Sequence, residues 1–308
     1  MNTTLFIVLV FALVLFAVLR LVKGKKNHRR DYTLELQSAE EAATFIKEGQ
    51  YRKAEALVEK QELNDVTQIV DHLALSLEEK ELLNWNQSQP SDLSKLSLAV
   101  YYLHIAWISR SHKLASSVSN KAAEAFFHYL QLAEETFSPV PEGSFYYPEV
   151  ESRKIRLYMS VDEKDWADHH FSHVTSTHPD LLWPYIHYAE LIQPKWGNSL
   201  EELLTFYEAL PNNFLIKSIV ELKLIWDSFV MDANYFHRFQ PNLKAYALKK
   251  ITEIDQAIEA KPPQSVHKFI LYNYMEAIAD HIGMKTIEKK YKALKNNHNT
   301  IYPHGLLH

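Results

Sequence analysis

The chain has 308 residues, no cysteine, only six glycines and a formal net charge of −5. The lack of cysteine excludes disulfides, thiolate zinc sites and cysteine nucleophiles, and the scarcity of glycine disfavours phosphate-binding loops and all-β folds. Neither a G-x-G-x-x-G nor a Walker A pattern occurs, so the sequence predicts no cofactor.

An apolar segment opens the chain. Residues 5–19 are all apolar, and after Arg20 two more apolar residues extend the segment to position 22. At about 1.5 Å per residue, these roughly 18 residues form a helix of about 27 Å, just enough for a hydrocarbon core of about 30 Å. We therefore predict a transmembrane anchor at residues 1–22, with Arg20 reaching toward the lipid headgroups.

A basic linker, residues 23–37, follows the anchor. Because positive charge beside a span is retained in the cytoplasm, it predicts a single-pass protein with a cytoplasmic soluble domain. A cleaved signal peptide is the alternative, but no charged side chain precedes the apolar segment and no Ala-x-Ala site follows it. The residues predicted to set this topology are Arg20, Lys23, Lys25, Lys26, Arg29 and Arg30.

The rest of the chain is acidic. Six of the 33 Lys and Arg but none of the 38 Asp and Glu lie within residues 1–30, which leaves 27 basic against 38 acidic side chains. This balance argues against a nucleic-acid partner, because binding nucleic acid requires clustered positive charge. It favours a protein partner with a basic surface.

Residues 38–308 carry apolar side chains three and four positions apart, and short breaks with Pro, Asn or Gly separate the segments. This pattern predicts an all-α domain built as an antiparallel helical array. The longest break, residues 137–148, is a possible division between two halves. Ser38 and Glu41 are spaced as a capping box, which predicts a first helix from there to about Lys47.

The segment F-I-K-E-G-Q-Y-R-K-A-E-A-L at residues 45–57 resembles the inter-helix turn of a tetratricopeptide repeat. In that turn Gly49 permits the tight bend, Tyr51 packs beneath it and Ala54 lets the helices approach closely. No period of about 34 residues is evident, so the resemblance implies a degenerate tetratricopeptide-like α-solenoid.

A second motif, Pro194-Lys195-Trp196-Gly197-Asn198-Ser199, is similar to the P-K-W-G-G-S signature of a bacterial family of uncharacterised, tetratricopeptide-like helical domains. The chain departs from it at Asn198, where the family usually has a second glycine. The resemblance covers about residues 160–235. The resemblance implies a helical array and a bacterial source, and with the predicted anchor a location in the bacterial inner membrane. The family has no established activity, so the resemblance implies none for this chain.

This second motif also has a structural interpretation. Gly197 suits a left-handed conformation after a helix, and Ser199 with Glu202 predicts a capping box that opens the next helix. Trp196 is then expected as a wedge between two helices. The motif residues interpreted as structural are Gly49, Tyr51, Ala54, Pro194, Lys195, Trp196, Gly197 and Ser199.

One histidine cluster is a candidate metal site. Asp165, His169 and His173 are spaced i, i+4 and i+8, so on a helix they share a face, and two histidines one turn apart can chelate a divalent ion. The H-E-x-x-H pattern of zinc proteases is missing, and a polar helix face explains the cluster as well. The sequence therefore predicts no metal site, with these three residues as weak candidates.

Three functions follow. The leading hypothesis is a membrane-anchored helical scaffold that binds another protein and performs no catalysis. The first alternative is an immunity-type protein that neutralises a partner toxin. The second is a metal-dependent enzyme that uses the cluster of His169 and His173.

Overall fold

The computed structural model describes residues 33–110, 117–230, 242–296, 298 and 300. Within these ranges it contains fourteen α-helices, one short 3-10 helix and no β-strand. The predicted all-α class is therefore confirmed. The predicted anchor and the basic linker residues up to Arg30 lie outside the described residues.

The helices of the first part follow one another through short turns. They are α1 (Gln37–Lys47), α2 (Tyr51–Val58), α3 (Leu63–Ser76), α4 (Glu79–Ser88), α5 (Asp92–Arg110) and α6 (Asn120–Phe137).

The second part continues in the same way. It contains α7 (Tyr147–Ser160), α8 (Lys164–Thr177), α9 (Leu182–Leu191), a 3-10 helix (Pro194–Trp196), α10 (Leu200–Glu208), α11 (Phe214–Val230), α12 (Leu243–Ala260), α13 (Lys268–Ile282) and α14 (Lys285–Lys295).

Helices that are neighbours in sequence pack antiparallel, as in the pairs α1–α2, α5–α6, α7–α8 and α13–α14. The turn between α1 and α2 illustrates why. Gly49 has φ +71°, a left-handed conformation that glycine adopts without a steric penalty, and Gln50 N donates to Phe45 O at 2.7 Å. Tyr51 then opens α2 and stacks on Trp85 with ring centroids 6.1 Å apart, while Ala54 is fully buried.

The start of α1 differs from the prediction. Leu36 is its N-cap residue and no side chain caps it, so the capping box predicted from Ser38 and Glu41 is wrong. A turn from Thr33 to Leu36 precedes the helix, and Leu34 within it is fully buried, which places the helix start ahead of Ser38. The Ser38 hydroxyl instead donates to Gln61 Oε1 at 3.3 Å.

Two clusters of buried apolar side chains form the core, and they meet at α7. One cluster runs from Ala39 to Leu157, and the other joins Leu34 to residues between Ile155 and Tyr291. Leu157 therefore faces one cluster while Ile155 faces the other. Because α7 also packs against α3, α5, α6, α8 and α9, its polar side chains meet more neighbouring helices than a surface helix could offer.

None of the helices among the described residues combines the length and the apolar character that a membrane crossing requires.

Candidate functional site

Helix α7 carries a buried ion cluster on the side that faces α3 and α5. We call it the Arg153 cluster; it consists of Thr67, Asp71, His104, Glu149 and Arg153. Arg153 donates from Nε to Glu149 Oε1 at 2.7 Å and from Nη1 to Asp71 Oδ1 at 2.8 Å. His104 Nε2 lies 3.2 Å from the same Asp71 oxygen. All five residues are at most 5% exposed, so the cluster is sealed from solvent.

The two carboxylates of the Arg153 cluster titrate in opposite directions. Burial raises the pKa of Glu149 even though Arg153 lies beside it. Burial favours the neutral form of Asp71 too, but Arg153 and His104 outweigh it and lower the pKa of Asp71 to about 2. Arg153, together with His104, thus outweighs the effect of burial on the pKa of Asp71. Arg153 does not outweigh the effect of burial on the pKa of Glu149. The cluster ties three helices together and leaves no accessible group for chemistry.

Glu151 lies two residues further along α7, on a different face. It is 1% exposed, and its Oε2 accepts hydrogen bonds from His170 Nδ1 at 2.8 Å and His173 Nδ1 at 3.2 Å, both on α8. Its second oxygen, Oε1, has no hydrogen-bond donor in bonding geometry among the described residues, and Lys154 Nζ lies 3.6 Å from it. Glu151 Oε1 is therefore ion-paired with Lys154 but receives no short hydrogen bond, and the Tyr147 hydroxyl lies close to the same carboxylate.

The charge state of Glu151 follows from these neighbours. Burial favours its neutral form, but the bonds from His170 and His173 and the nearby Lys154 outweigh burial and lower the pKa of Glu151 to about 2. Burial and the nearby Glu151 carboxylate raise the pKa of Tyr147 to about 12. Near neutral pH the site therefore holds an ionised carboxylate beside a neutral phenol.

Glu151 lines a cavity of about 510 Å³, which we call the Glu151 cavity. Its walls come from the turn between α2 and α3, the loop between α6 and α7, the start of α7, and the C-terminal end of α8. The lining residues are Gln61, Glu62, Leu63, Glu142, Ser144, Phe145, Tyr147, Pro148, Glu151, His173, Val174, Thr177 and His178. Three of them are glutamates, and no Asp, Lys or Arg is among them, so the lining is acidic.

A row of aromatic rings runs along α8 into this cavity. From Trp166 to His169, from His169 to His173, and from His173 to Tyr147, successive ring centroids are 6.2, 6.4 and 6.1 Å apart. We call these four residues the aromatic strip. Trp166, at the outer end of the strip, is 55% exposed, and Phe145, at the rim of the cavity, is 44% exposed. Large exposed aromatic side chains are typical of protein interfaces.

The weak metal candidates take part in this arrangement in another way. His169 and His173 do share a face of α8, as the spacing predicts, but their rings belong to the aromatic strip. Asp165 is exposed at the start of the helix. Within the described ranges, no group of three His, Asp or Glu side chains is arranged to hold a metal ion. The carboxylate that meets His173 is Glu151 of α7.

The P-K-W-G-N-S segment forms the 3-10 helix and the turn into α10. Gly197 has φ +88°, and Asn198 Nδ2 donates to Leu191 O at 2.8 Å. The capping box predicted from Ser199 and Glu202 is present, with Glu202 N donating to Ser199 Oγ at 3.1 Å. Trp196 is half-buried, and the Arg110 guanidinium lies 5.9 Å from its ring centroid.

Sequence reasoning missed the residues that build the cavity. Glu151, His170, Phe145 and Tyr147 carry no local motif, and their relation to His173 arises only when α7 and α8 pack together. Two histidines on apolar helix faces, His104 and His187, are buried, with His187 Nδ1 2.8 Å from Ser152 O. His128, which also neighbours aromatic residues in the sequence, is exposed.

Fold and site together define an all-helical protein with an acidic, partly aromatic cavity beside its central helix. No known protein family, no curated protein and no solved structure shows a significant match to this chain. The chemistry of the site must therefore be argued from its own residues.

Proposed function

We propose that this protein is a membrane-anchored helical scaffold that binds a protein partner and performs no catalysis. In this proposal the N-terminal segment spans a bacterial inner membrane, and the helices form a degenerate tetratricopeptide-like array on the cytoplasmic side. The observation that carries the proposal is the aromatic strip, which leads from exposed Trp166 into the Glu151 cavity.

The strip supports a binding role because of its exposure and composition. Trp and Tyr are enriched among the residues that dominate binding energy at protein interfaces, and they contribute most where a pocket surrounds them. Phe145 at the rim of the cavity and Trp166 at the outer end of the strip expose large apolar surfaces, whereas most large apolar side chains among the described residues are buried. Burying both against a partner removes that apolar area from water.

The acidic character of the domain supports a basic partner. Beyond residue 30 the acidic side chains outnumber the basic ones by 38 to 27. Complementary charge speeds association and selects partners, even where each exposed pair contributes little affinity.

Site-specific photo-cross-linking in native membranes tests this proposal. The photoreactive residue p-benzoylphenylalanine replaces Phe145 or Trp166 in the full chain, and Phe127 or Phe214 as matched controls. The controls are also exposed aromatic residues but lie outside the strip and the cavity lining. We expect one cross-linked protein from positions 145 and 166 and not from 127 and 214. The same products from all four positions, or none from 145 and 166, contradict the proposal.

A further inference from the structure

We infer that the Glu151 cavity is a receptor for a cationic side chain, arginine or lysine, of the protein partner. This inference rests on the proposed function and gives it a ligand chemistry. It joins three features: a buried carboxylate with one oxygen that receives no short hydrogen bond, two more carboxylates in the cavity wall, and aromatic rings beside them.

The buried carboxylate is the anchor point. Glu151 is 1% exposed, and its Oε1 has no hydrogen-bond donor in bonding geometry among the described residues. A buried polar atom in this state costs free energy unless a ligand or water satisfies it. Lys154 Nζ, at 3.6 Å, forms an ion pair with Oε1 but lies beyond normal hydrogen-bond distance, so a cation that takes its place gains a shorter bond.

The histidines beside Glu151 fit the same ligand. A carboxylate only accepts hydrogen bonds, so His170 and His173 each donate from Nδ1 to Glu151 Oε2. His173 also lines the cavity. An arginine brings five N–H donors in a planar fork and a lysine brings three, which suits a site rich in acceptors.

The cavity wall adds charge and shape. Glu62 and Glu142 line the cavity and are both exposed, so they can attract a cation before it enters. Phe145 and Tyr147 also line it, and a guanidinium or ammonium group is attracted to the face of an aromatic ring. A volume of about 510 Å³ lies within the range of ligand pockets and leaves space for a long side chain.

An anion is the competing ligand, because Lys154 and two histidines, His173 and His178, lie at or near the cavity. Any anion that enters must approach the ionised Glu151 carboxylate and pass Glu62 and Glu142. Like charges at such distances repel, and the repulsion is strongest where water is excluded. The observations therefore favour a cation, and the anion becomes an outcome of the test.

Surface plasmon resonance on the full chain in lipid nanodiscs tests the inference with defined probes. The probes are acetyl-Ala-Ala-X-Ala-Ala-amide peptides in which X is arginine, lysine, citrulline or glutamate. Citrulline matches arginine in shape without its charge. We expect the arginine and lysine peptides to bind at least tenfold more tightly than the citrulline peptide, since only they form a charge-assisted hydrogen bond with the buried carboxylate. Equal binding of arginine and citrulline, or tighter binding of glutamate, overturns the inference.

Two variants place the binding in this cavity. The double variant E62Q/E142Q removes two exposed lining charges without touching the buried bonds of Glu151, and we expect it to weaken the arginine peptide several-fold. The matched control E124Q/E208Q removes two exposed carboxylates outside the cavity lining and should leave affinity unchanged. An equal loss of affinity for the arginine peptide in both double variants shows that only the overall charge of the protein matters. That result contradicts a specific receptor.

The scaffold function and the cation receptor are contradicted by different results. If citrulline binds as well as arginine while positions 145 and 166 still cross-link one protein, the cation receptor falls and the scaffold function stands. If arginine binds selectively but those positions cross-link nothing, the receptor stands and the partner-binding role of the strip falls.

Discussion

Helix α7 places two buried glutamates two residues apart in opposite circumstances. Glu149 lies in the sealed Arg153 cluster, where burial raises its pKa despite the guanidinium. Glu151 lies beside two imidazoles at the wall of a cavity, and its pKa is about 2. Positions two apart on a helix point in widely different directions, so one helix can hold the core together and build a binding site.

The comparison separates stability from function. In the Arg153 cluster the charged groups bind one another at 2.7 and 2.8 Å. Asp71 Oδ2 also has no hydrogen-bond donor among the described residues, but all five residues of the cluster are at most 5% exposed. In the Glu151 cavity one carboxylate oxygen has only Lys154 Nζ, at 3.6 Å, beside it, and Glu151 lines open space. A substitution in the first region should therefore change folding, and one in the second should change binding more than folding.

The largest effect is expected for Arg153→Met. The substitution leaves Asp71 and Glu149 buried without their cation, and removal of one partner from a buried ion pair costs about 3–5 kcal/mol. Urea unfolding of the full chain in detergent, followed by circular dichroism, gives the free energy of unfolding. Arg153→Lys keeps the charge but loses the two-pronged geometry, so it should cost less. A loss below about 1 kcal/mol for Arg153→Met contradicts the role of the sealed cluster.

Glu151→Gln should have a smaller effect that depends on pH. Loss of the charge-assisted bonds to His170 and His173 costs about 1–3 kcal/mol near neutral pH. Because the folded pKa of Glu151 is about 2, below its ordinary 4.5, this stabilisation is present above pH 4.5. It disappears as the pH falls toward 2, so the wild-type advantage should shrink in that window.

Glu149→Gln is the matched control for that pH dependence. The folded pKa of Glu149 is raised, so its stabilising contribution grows as the pH falls, which is the opposite sign. Unfolding free energies at several pH values compare the two variants with wild type. Parallel pH profiles for both variants contradict the assignment of opposite environments.

Gly197→Ala measures a backbone effect remote from both carboxylates. Gly197 has φ +88° and a Cβ added there meets no atom within 4 Å, so the expected cost of about 1 kcal/mol comes from the left-handed backbone alone. Gly143 also has open space but no left-handed φ, so Gly143→Ala should cost nothing. Equal melting temperatures for the two variants contradict a structural role for the turn.

The smallest effect on folding is expected for Trp166→Ala. Trp166 is 55% exposed, and surface substitutions usually change stability by no more than about 0.5 kcal/mol. Cross-linking from position 145 should nevertheless fall sharply in this variant, because truncation of an interface aromatic residue can remove much of the binding energy. A shifted melting temperature with unchanged cross-linking reverses the interpretation of the strip.

Local sequence patterns predicted much of the fold. Helical spacing and the scarcity of glycine indicated an all-α protein, and Ser199 with Glu202 indicated a capping box that is present. The same reasoning placed a capping box at Ser38, where the buried Leu34 and its turn start the helix earlier. A capping pattern states which residues can cap a helix, and tertiary packing decides whether they do.

The site was much less accessible to sequence reasoning. The spacing of His169 and His173 correctly predicts a shared face of α8. The carboxylate that bonds to His173, however, belongs to Glu151 on α7, 22 residues earlier in the chain. The cavity also needs the loop around Phe145 and the turn around Glu62, which no local pattern connects to α8. The sequence predicts Trp196 as a wedge between helices; in the structure it is half-buried, with the Arg110 guanidinium 5.9 Å from its ring centroid. Contacts between distant segments decide these features.

The affinity of the arginine peptide for Glu149→Gln and Glu151→Gln tests the central claim most directly. Both variants remove one buried carboxylate charge from the same helix, and both are measured under conditions where circular dichroism shows them folded. We predict at least a tenfold loss of affinity for Glu151→Gln and wild-type affinity for Glu149→Gln. Equal affinities in the two variants contradict the claim that Glu151 belongs to a binding cavity and Glu149 to the sealed core.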